Sequence, residues 1–403
     1  MLPYDPRLLE LLSFLTRRQA WLSPREISKE FRLGGKRVHL RTVYRWVNFL
    51  RAEASFVYYP YPRANVLGLQ DVLVRVWGLK DPEILGILPF ASSFNVEVGL
   101  GDNVPFVGQG YWIPGDAMAA FERFWDTAKA LRLVDRVELF SSRNTHFFFS
   151  PFHRLVTEDG SARLQGEVDN RHFEELARRH VRERFEVQVG KAVARSPLVI
   201  PLLMEHLWTH FSSRHVWDAI REKGEGPIRA YGKGFLSKTL DRPGAALRLL
   251  QEQWHSLLED FDAVFLQPRI FFDWTPLKNS LFVSVKLRTR SADKMVTCAA
   301  RASEHAIYTS LKPGLRDSDP CLLSCFLPSD QLLPVLAVVR EFHSGDEAPF
   351  VAVQDVAATE RLFQASYCRV DWRLFDPATL SWRFDSQAYL ERLKDLRPAV
   401  RRP

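Results

Sequence analysis

The sequence predicts an α+β chain made of two tandem copies of one plan: a winged helix-turn-helix, a βαββαβ domain of ferredoxin-like order, and a hairpin-helix tail. Three observations predict it. A cationic stretch with one apolar face runs from Arg41 to Arg51. Behind it the hydrophobic period switches between about 2 and about 3.6 residues, in the order strand-helix-strand-strand-helix-strand. The same order then returns about 200 residues later, with matching residues, as a duplication would produce.

The head comes first. Leu8, Leu11, Leu12 and Leu15 share one face of a helix over Arg7 to Trp21. A second helix over Pro24 to Phe31 has Ser23 as N-cap, Pro24 at its first position and Glu26 three residues after the cap. In the third helix Val43, Trp46, Val47 and Leu50 recur at three- and four-residue steps and face inward. Arg41, Thr42, Tyr44, Arg45 and Asn48 then face out. Those are the residue types that meet base edges, an amide for adenine and guanidiniums for guanine. Arg32, Lys36, Arg37 and Arg51 supply charge for phosphates, and no acid lies between Phe31 and Ala52. The alternative is a solvated basic helix on an ordinary globule.

Phe56 to Pro60 reads as a strand or wing. Asp71 to Trp77 alternates as a strand, Pro82 to Pro89 is a short helix, and Phe94 to Gly99 and Phe106 to Ile113 flank a turn at Gly101-Asp102-Asn103. Asp116 to Leu133 is an amphipathic helix and Val134 to Phe140 the closing strand. A hairpin of Phe147 to Leu155 with Ala162 to Val168 turns at Glu158-Asp159-Gly160. A helix capped by Asp169 follows, to about Glu186.

In the second half Trp254 lies 208 residues after Trp46, and Pro268 the same distance after Pro60. Val283 and Val285 answer Val74 and Val76, Val351 and Val353 answer Val137 and Leu139, and Asp385 and Tyr389 answer Asp169 and Phe173. Leu202-Leu203 answers Leu11-Leu12 at only 191, so the second head carries about 17 more residues, within the glycine- and lysine-rich Glu222 to Pro243. The second set is Leu281 to Arg288, Ala292 to His305, Ala306 to Lys312, Cys321 to Phe326, Asp330 to Phe342 and Phe350 to Val356. The tail is a strand over Ser366 to Leu374, a turn at Asp376-Pro377, Leu380 to Phe384 and a last helix to about Leu396. The expected domains are 1–66, 67–142, 143–195, 196–276, 277–357 and 358–403. The second counterpart of the basic helix, Gly244 to Phe261, carries Glu252, Glu259 and Asp260 against the single Arg248. Carboxylates repel phosphates, so this copy reads as structural, the alternative being phosphate contact through the cations of its inserted stretch (Lys223, Arg229, Lys233, Lys238, Arg242).

Hydrophobic residues at 46% argue for packed cores and against a disordered chain. A net charge of +7 fits a polyanionic partner. Four cysteines without disulfide spacing point to a reducing compartment, and no apolar run suits a membrane span, so a cytoplasmic protein is expected. His206 and His210 stand four apart on a helix but not in H-E-x-x-H order, and read as packing or surface residues. Cys321 and Cys325 share a strand face and read as buried apolar groups. Gly108, Gly110 and Gly115 mark either a close backbone approach for a ligand or a bulge. No catalytic set, metal site or cofactor motif stands out.

The order of head and sheet, and above all Val107-Gly-Gln-Gly-Tyr111-Trp112-Ile-Pro114, resembles the Lrp/AsnC family of regulators, with its RAM sensing domain. The likeness covers 1–142 well and 198–356 weakly. It implies a DNA-binding transcription regulator, not an enzyme. Double-stranded DNA would be its partner, with a small-molecule effector admitted. The family's dimer would be built into one chain, and two such chains could pair again. Some proteins similar to this family decarboxylate haem precursors; His146, His153, His172 and nearby arginines would serve that alternative. A third reading is an interaction module that has lost both activities.

Overall fold

Asp5 opens the first helix, α1 (Pro6–Thr16): its carboxylate accepts the Arg7 backbone N–H at 2.9 Å, and Pro6 presets φ at the first turn. The computed structural model describes residues 5–17, 22–54, 57–149, 152–158, 161–166, 170–195, 199–208, 243–271, 279–316, 319–364 and 370–396. α2 (Pro24–Glu30) starts on the expected capping box. The Glu26 N–H donates to Ser23 Oγ at 3.3 Å, and the Ser23 N–H donates to Glu26 Oε2 at 2.7 Å. Where the sequence reading named no element, β1 (Arg32–Leu33) and β2 (Lys36–Arg37) form a hairpin closed by Gly34 and Gly35 at φ +54° and +78°. Glycine takes two successive positive φ values without the Cβ penalty. α3 (Leu40–Ala54) follows, with Val43, Trp46, Val47 and Leu50 buried as its spacing predicts. Phe31 ties the head together, its ring 5.3 Å from Phe14 and 6.5 Å from Trp46. β3 (Val57–Pro62), expected as a wing, pairs instead with β11 (Phe265–Phe271) from the far half of the chain.

The chain packs into two compact units, each gathered from distant segments. Unit 1 takes Met1–Tyr61, Arg143–Arg184 and Phe265–Gln354; unit 2 takes Pro62–Ser142, Phe185–Val264 and Asp355–Pro403. The six stretches expected as successive domains are thus dealt alternately between the units.

Unit 2 holds β4 (Leu69–Trp77), β5 (Ala91–Gly99), β6 (Pro105–Pro114) and β7 (Arg136–Ser142), antiparallel in the order β7-β4-β6-β5. The first and third strands are central, the order that two crossovers of a βαββαβ chain produce. α4 (Met118–Ala130) covers one face: Phe121 lies 5.3 Å and Trp125 6.3 Å from the Tyr111 ring. The expected helix at Pro82 to Pro89 is only a 3-10 turn, Pro82–Gly86. Gly86 weakens helix propagation, and Pro89 bars the residue before it from the α region. The second head contributes helices Val199–Trp208 and Pro243–Glu259. Residues 209–242, with Lys223, Arg229, Lys233, Lys238, Arg242 and His210, lie outside the described residues, as do the side chain of His206 and Cys368. Asp260, expected among the acids of the second basic-helix counterpart, stands past that helix and pairs with Arg195.

Unit 1 holds β8 (His146–Phe149), β12 (Ser280–Leu287), β13 (Tyr308–Lys312), β14 (Cys321–Pro328) and β15 (Phe350–Gln354), in the order β15-β12-β14-β13-β8. The helices between its βαββαβ strands are Ala292–Ser303 and Leu332–Phe342. β8 was expected in a local hairpin. Instead it extends the sheet edge beside β13, and the hairpin is β9 (Leu155–Glu158) with β10 (Ser161–Leu164). Three consecutive phenylalanines explain the exchange, since Phe147, Phe148 and Phe149 are all buried there and a lone hairpin buries little. α5 (Arg171–Arg182) ends earlier than expected and packs on Ala292–Ser303; Asn170 stands at its N-cap, and Asp169 lies outside the described residues.

In each unit the first helix of a head packs on a 3-10 turn of a tail: α1 on Phe152–Arg154, and Val199–Trp208 on Trp372–Leu374. That second turn replaces the end of the strand expected at Ser366 to Leu374, whose residues 366–369 are outside the described set. The last helix, Ser386–Asp395, is capped by Asp385, and the Trp382 indole donates to Leu67 O at 2.7 Å. No described helix is long and apolar enough to cross a membrane.

Candidate functional site

Two surfaces concentrate the chemistry. On the first, α3 presents Arg41, Tyr44 (48% exposed), Arg45 and Asn48 to solvent, with Thr42 half-buried. Among the described residues no hydrogen bond or ion pair holds the side chains of Lys36, Arg41 or Arg45. Arg32 and Arg37 are exposed but tethered: Arg32 donates to Lys29 O at 2.7 Å and Arg37 to Ser28 O at 2.9 Å. Both carbonyls belong to the last turn of α2, where a cation also meets the negative end of the helix dipole. The Arg51 side chain lies outside the described residues.

The second is the face of the unit 2 sheet turned away from α4. Strand alternation puts Asp71, Leu73, Arg75 and Trp77 of β4 on it, beside Phe106, Gly108, Gly110 and Trp112 of β6. Asn95 and Glu97 of β5 join one side, and Arg136, Glu138 and Phe140 of β7 the other. The alternation of β4 suggests a wet polar side, yet all nine of its residues are buried. Asp71, Arg75 and Glu97 are each 3% exposed. The Arg75 guanidinium lies 3.7 Å from Glu138 and 5.4 Å from the centre of the Phe106 ring. Asn95 donates to Glu97, which fixes that carboxylate. Trp77 lies 4.9 Å from Phe106, and the Arg136 guanidinium covers it at 4.4 Å. The result is an aromatic face with two guanidiniums and three carboxylates.

The glycines settle one open question. A Cβ on Gly108 would stand 2.7 Å from Asn95 Oδ1, and one on Gly110 would collide with Ser93 Oγ. Their missing side chains make room for neighbouring polar groups of the same sheet. Gly115 gives way in the same manner to Val187.

The histidines expected for the alternative reading are not gathered in one place. His146 is buried and stacks on His180 at 5.6 Å, His172 rests against Phe173 two helical turns away on α5, and the His153 side chain lies outside the described residues. His180 was missed, as were Arg75, Glu97 and Glu138. Cys298, Cys321 and Cys325 are buried thiols, as expected for the last two. Burial pushes the Cys298 and Cys325 thiols up to about 12, and Cys321 upward as well. Among the described residues no group of three or more His, Cys, Asp or Glu is placed to hold a metal ion.

No known family model matches this chain, and no curated protein matches its sequence. Among solved structures it is similar to the siroheme decarboxylase NirDL, at 9% identity over 96% of this chain and 97% of that one, with a TM-score of 0.40. The same decarboxylase in complex with an iron-uroporphyrin III analogue matches at 8% identity, over 86% and 90%, with a TM-score of 0.38. An anthrone oxidase-like protein matches at 7% identity, over 74% and 94%, with a TM-score of 0.28. The expectation of a non-enzymatic chain is overturned here, because the names that match include an enzyme and none is a DNA-binding regulator. Likeness at this level assigns no activity, which has to come from this chain's own residues.

Proposed function

We propose that this chain is an AsnC-type enzyme that decarboxylates a planar macrocycle bearing several carboxylates, a tetrapyrrole of the haem-precursor class. One observation carries the reading: Asp71, Arg75 and Glu97 are buried on the aromatic face of the unit 2 sheet that is turned away from α4. Taking an ion out of water costs several kcal/mol even after the protein relaxes. Packing alone would favour apolar residues there, and ionisable groups held at that cost are characteristic of functional sites. The types fit the substrate class. A guanidinium pairs with a carboxylate in two-pronged geometry, and flat rings such as Trp77 and Phe106 stack on a flat conjugated ring.

The chemistry needs no oxidant. Breaking the bond between an acetate methylene and its carboxylate releases CO2 and leaves the electron pair on carbon; one proton then completes a methyl group. In this reading Arg75 anchors a carboxylate that is retained, and Glu97, oriented by Asn95, delivers the proton and recovers it from water. The test is an anaerobic absorbance titration of the purified protein with tetrapyrroles carrying acetate side chains. Saturable binding that weakens about tenfold or more in Arg75→Met supports the reading. Absence of binding to every such macrocycle removes it.

We infer, too, that the chain arose by tandem duplication. The shared order of the four βαββαβ strands in each sheet, to which unit 1 adds β8, and the two helix-on-tail contacts support this, beside the sequence matches.

A second reading has its own support in the exposed, untethered Lys36, Arg41 and Arg45: contact with double-stranded DNA through α3. A small-molecule effector and the pairing of two such chains belong to that reading. Arg45→Ala should then cost ~1–3 kcal/mol at a specific site, and Lys36→Ala should flatten the salt slope by about one unit. Wild-type affinity in both variants, for fragments selected from genomic DNA, would remove it.

A further inference from the structure

Trp77 holds a buried donor without an acceptor. The residue is 6% exposed, and its indole N–H meets no hydrogen-bond partner. A buried N–H that forgoes its bond to water costs free energy, and each such group calls for a physical reason. Trp125 carries an orphaned N–H too, but there the rings of Tyr111, Phe121 and Phe124 surround it in the core beneath α4. Trp77 differs in what covers it. Arg136, directly opposite on β7, lays its guanidinium 4.4 Å from the centre of the indole ring. β7 is the outer strand of its sheet, and Arg136 is exposed. Among the described residues no hydrogen bond or ion pair holds that guanidinium. The acids nearest to it in sequence face other cations: Asp135 pairs with Lys80 at 3.0 Å, and Glu138 lies 3.7 Å from Arg75. A guanidinium stacked on a ring keeps its N–H groups in its own plane, where an oxyanion can meet them edge-on.

We propose that the Trp77 indole N–H and the Arg136 guanidinium form a seat for one carboxylate of a flat aromatic ligand. Arg136 turns outward from over the indole as the ligand enters. One carboxylate oxygen then accepts from Trp77 Nε1 and the other from the guanidinium. The seat rests on the tetrapyrrole reading only for the identity of the ring. Arg75 stands two residues back along β4, about 7 Å away, so a macrocycle held there by one retained carboxylate presents a second to this seat. Two anchors fix the rotation of the ring in its own plane, and that rotation decides which acetate reaches Glu97.

The test is proton–nitrogen correlation NMR of the full chain, isotopically labelled at its tryptophan indole nitrogens. Trp77→Phe identifies the Trp77 signal by its loss; should that variant not fold, the displacement caused by Arg136→Gln, a change at an exposed position, identifies it. Two acids are titrated: uroporphyrin, which bears acetate and propionate side chains, and naphthoate, a flat monoacid that is no tetrapyrrole. Each should move the Trp77 indole proton downfield as a charged acceptor arrives, and methyl naphthoate should leave it in place. Arg136→Gln should weaken both acids about tenfold, the worth of one charge-assisted contact. A shift from either acid that Arg136→Gln weakens supports the seat. A Trp77 signal that neither acid moves, or wild-type affinity in Arg136→Gln, overturns it. Decarboxylation measured alongside separates the two readings. Turnover of an acetate-bearing tetrapyrrole with an unmoved Trp77 signal sinks the seat alone; an Arg136-dependent shift with naphthoate, and no macrocycle bound, sinks the enzyme reading alone.

Discussion

Arg75 and Glu138 give the sharpest test of the argument from burial to function. Their closest approach is 3.7 Å, with side chains 4% and 22% exposed. At an effective dielectric of about 20 that attraction is worth about 4.5 kcal/mol. Desolvating the guanidinium opposes it with several kcal/mol, so the net contribution is near zero. Arg75→Met keeps most of the stem volume and removes one cation from beside Glu138. Because Glu138 retains some solvent, the cost should fall at about 2–3 kcal/mol, below the ~3–5 of breaking a fully buried pair. Adding Glu138→Leu removes the remaining charge of the pair. The double variant should return to within about 1 kcal/mol of wild type or exceed it, by up to ~4 kcal/mol. The assay is urea unfolding followed by tryptophan fluorescence and far-ultraviolet circular dichroism, with coincident transitions as the condition for reading free energies. A double variant less stable than wild type by more than ~3 kcal/mol would mean that the pair holds the sheet together, and burial here would say nothing about a substrate.

The remaining predictions concern packing and protonation. Trp46→Ala should destabilise the first head by ~3–5 kcal/mol, since the indole is buried against Phe31; selective loss of α1–α3 protection in hydrogen exchange would show it, and uniform protection would contradict it. Ser23→Ala removes the capping box and should cost about 1 kcal/mol in urea unfolding. Burial raises the Cys298 and Cys325 thiols from 9.0 to about 12, so the folded state holds their protons more tightly than the unfolded one. Their contribution is intact below pH 9.0 and is lost as pH climbs toward about 12. A thiol reagent at pH 8 should therefore leave Cys298, Cys321 and Cys325 unlabelled until denaturant is added, and rapid labelling of the native chain would contradict their burial.

Much of the local structure was legible in the sequence, because hydrophobic period survives without knowledge of partners. The faces of α3 and the eight strands of the two βαββαβ orders appear within a few residues of their expected limits. The failures are non-local. Nothing in Phe147-Phe148-Phe149 says that its partner strand begins at Tyr308, and nothing in Val57 to Pro62 names Phe265 to Phe271. The alternate gathering of segments into units depends on long-range packing that no window of sequence contains. For the same reason Asp71 and Arg75 escaped notice: a polar residue at every second strand position ordinarily marks a solvated face, and only the buried environment of β4 reverses that meaning. His180 was hidden likewise, an unremarkable residue on a polar helix until β8 arrives beneath it.

The most direct measurement is mass spectrometry of a tetrapyrrole bearing acetate side chains after anaerobic incubation with wild-type protein and with the Arg75→Met/Glu138→Leu variant, once that variant is shown to be folded. Loss of CO2 from acetate groups with the wild type, and an unaltered macrocycle with the variant, is the result the account predicts. Equal conversion by both proteins, or an unaltered macrocycle with the wild type across the substrate class, would contradict it.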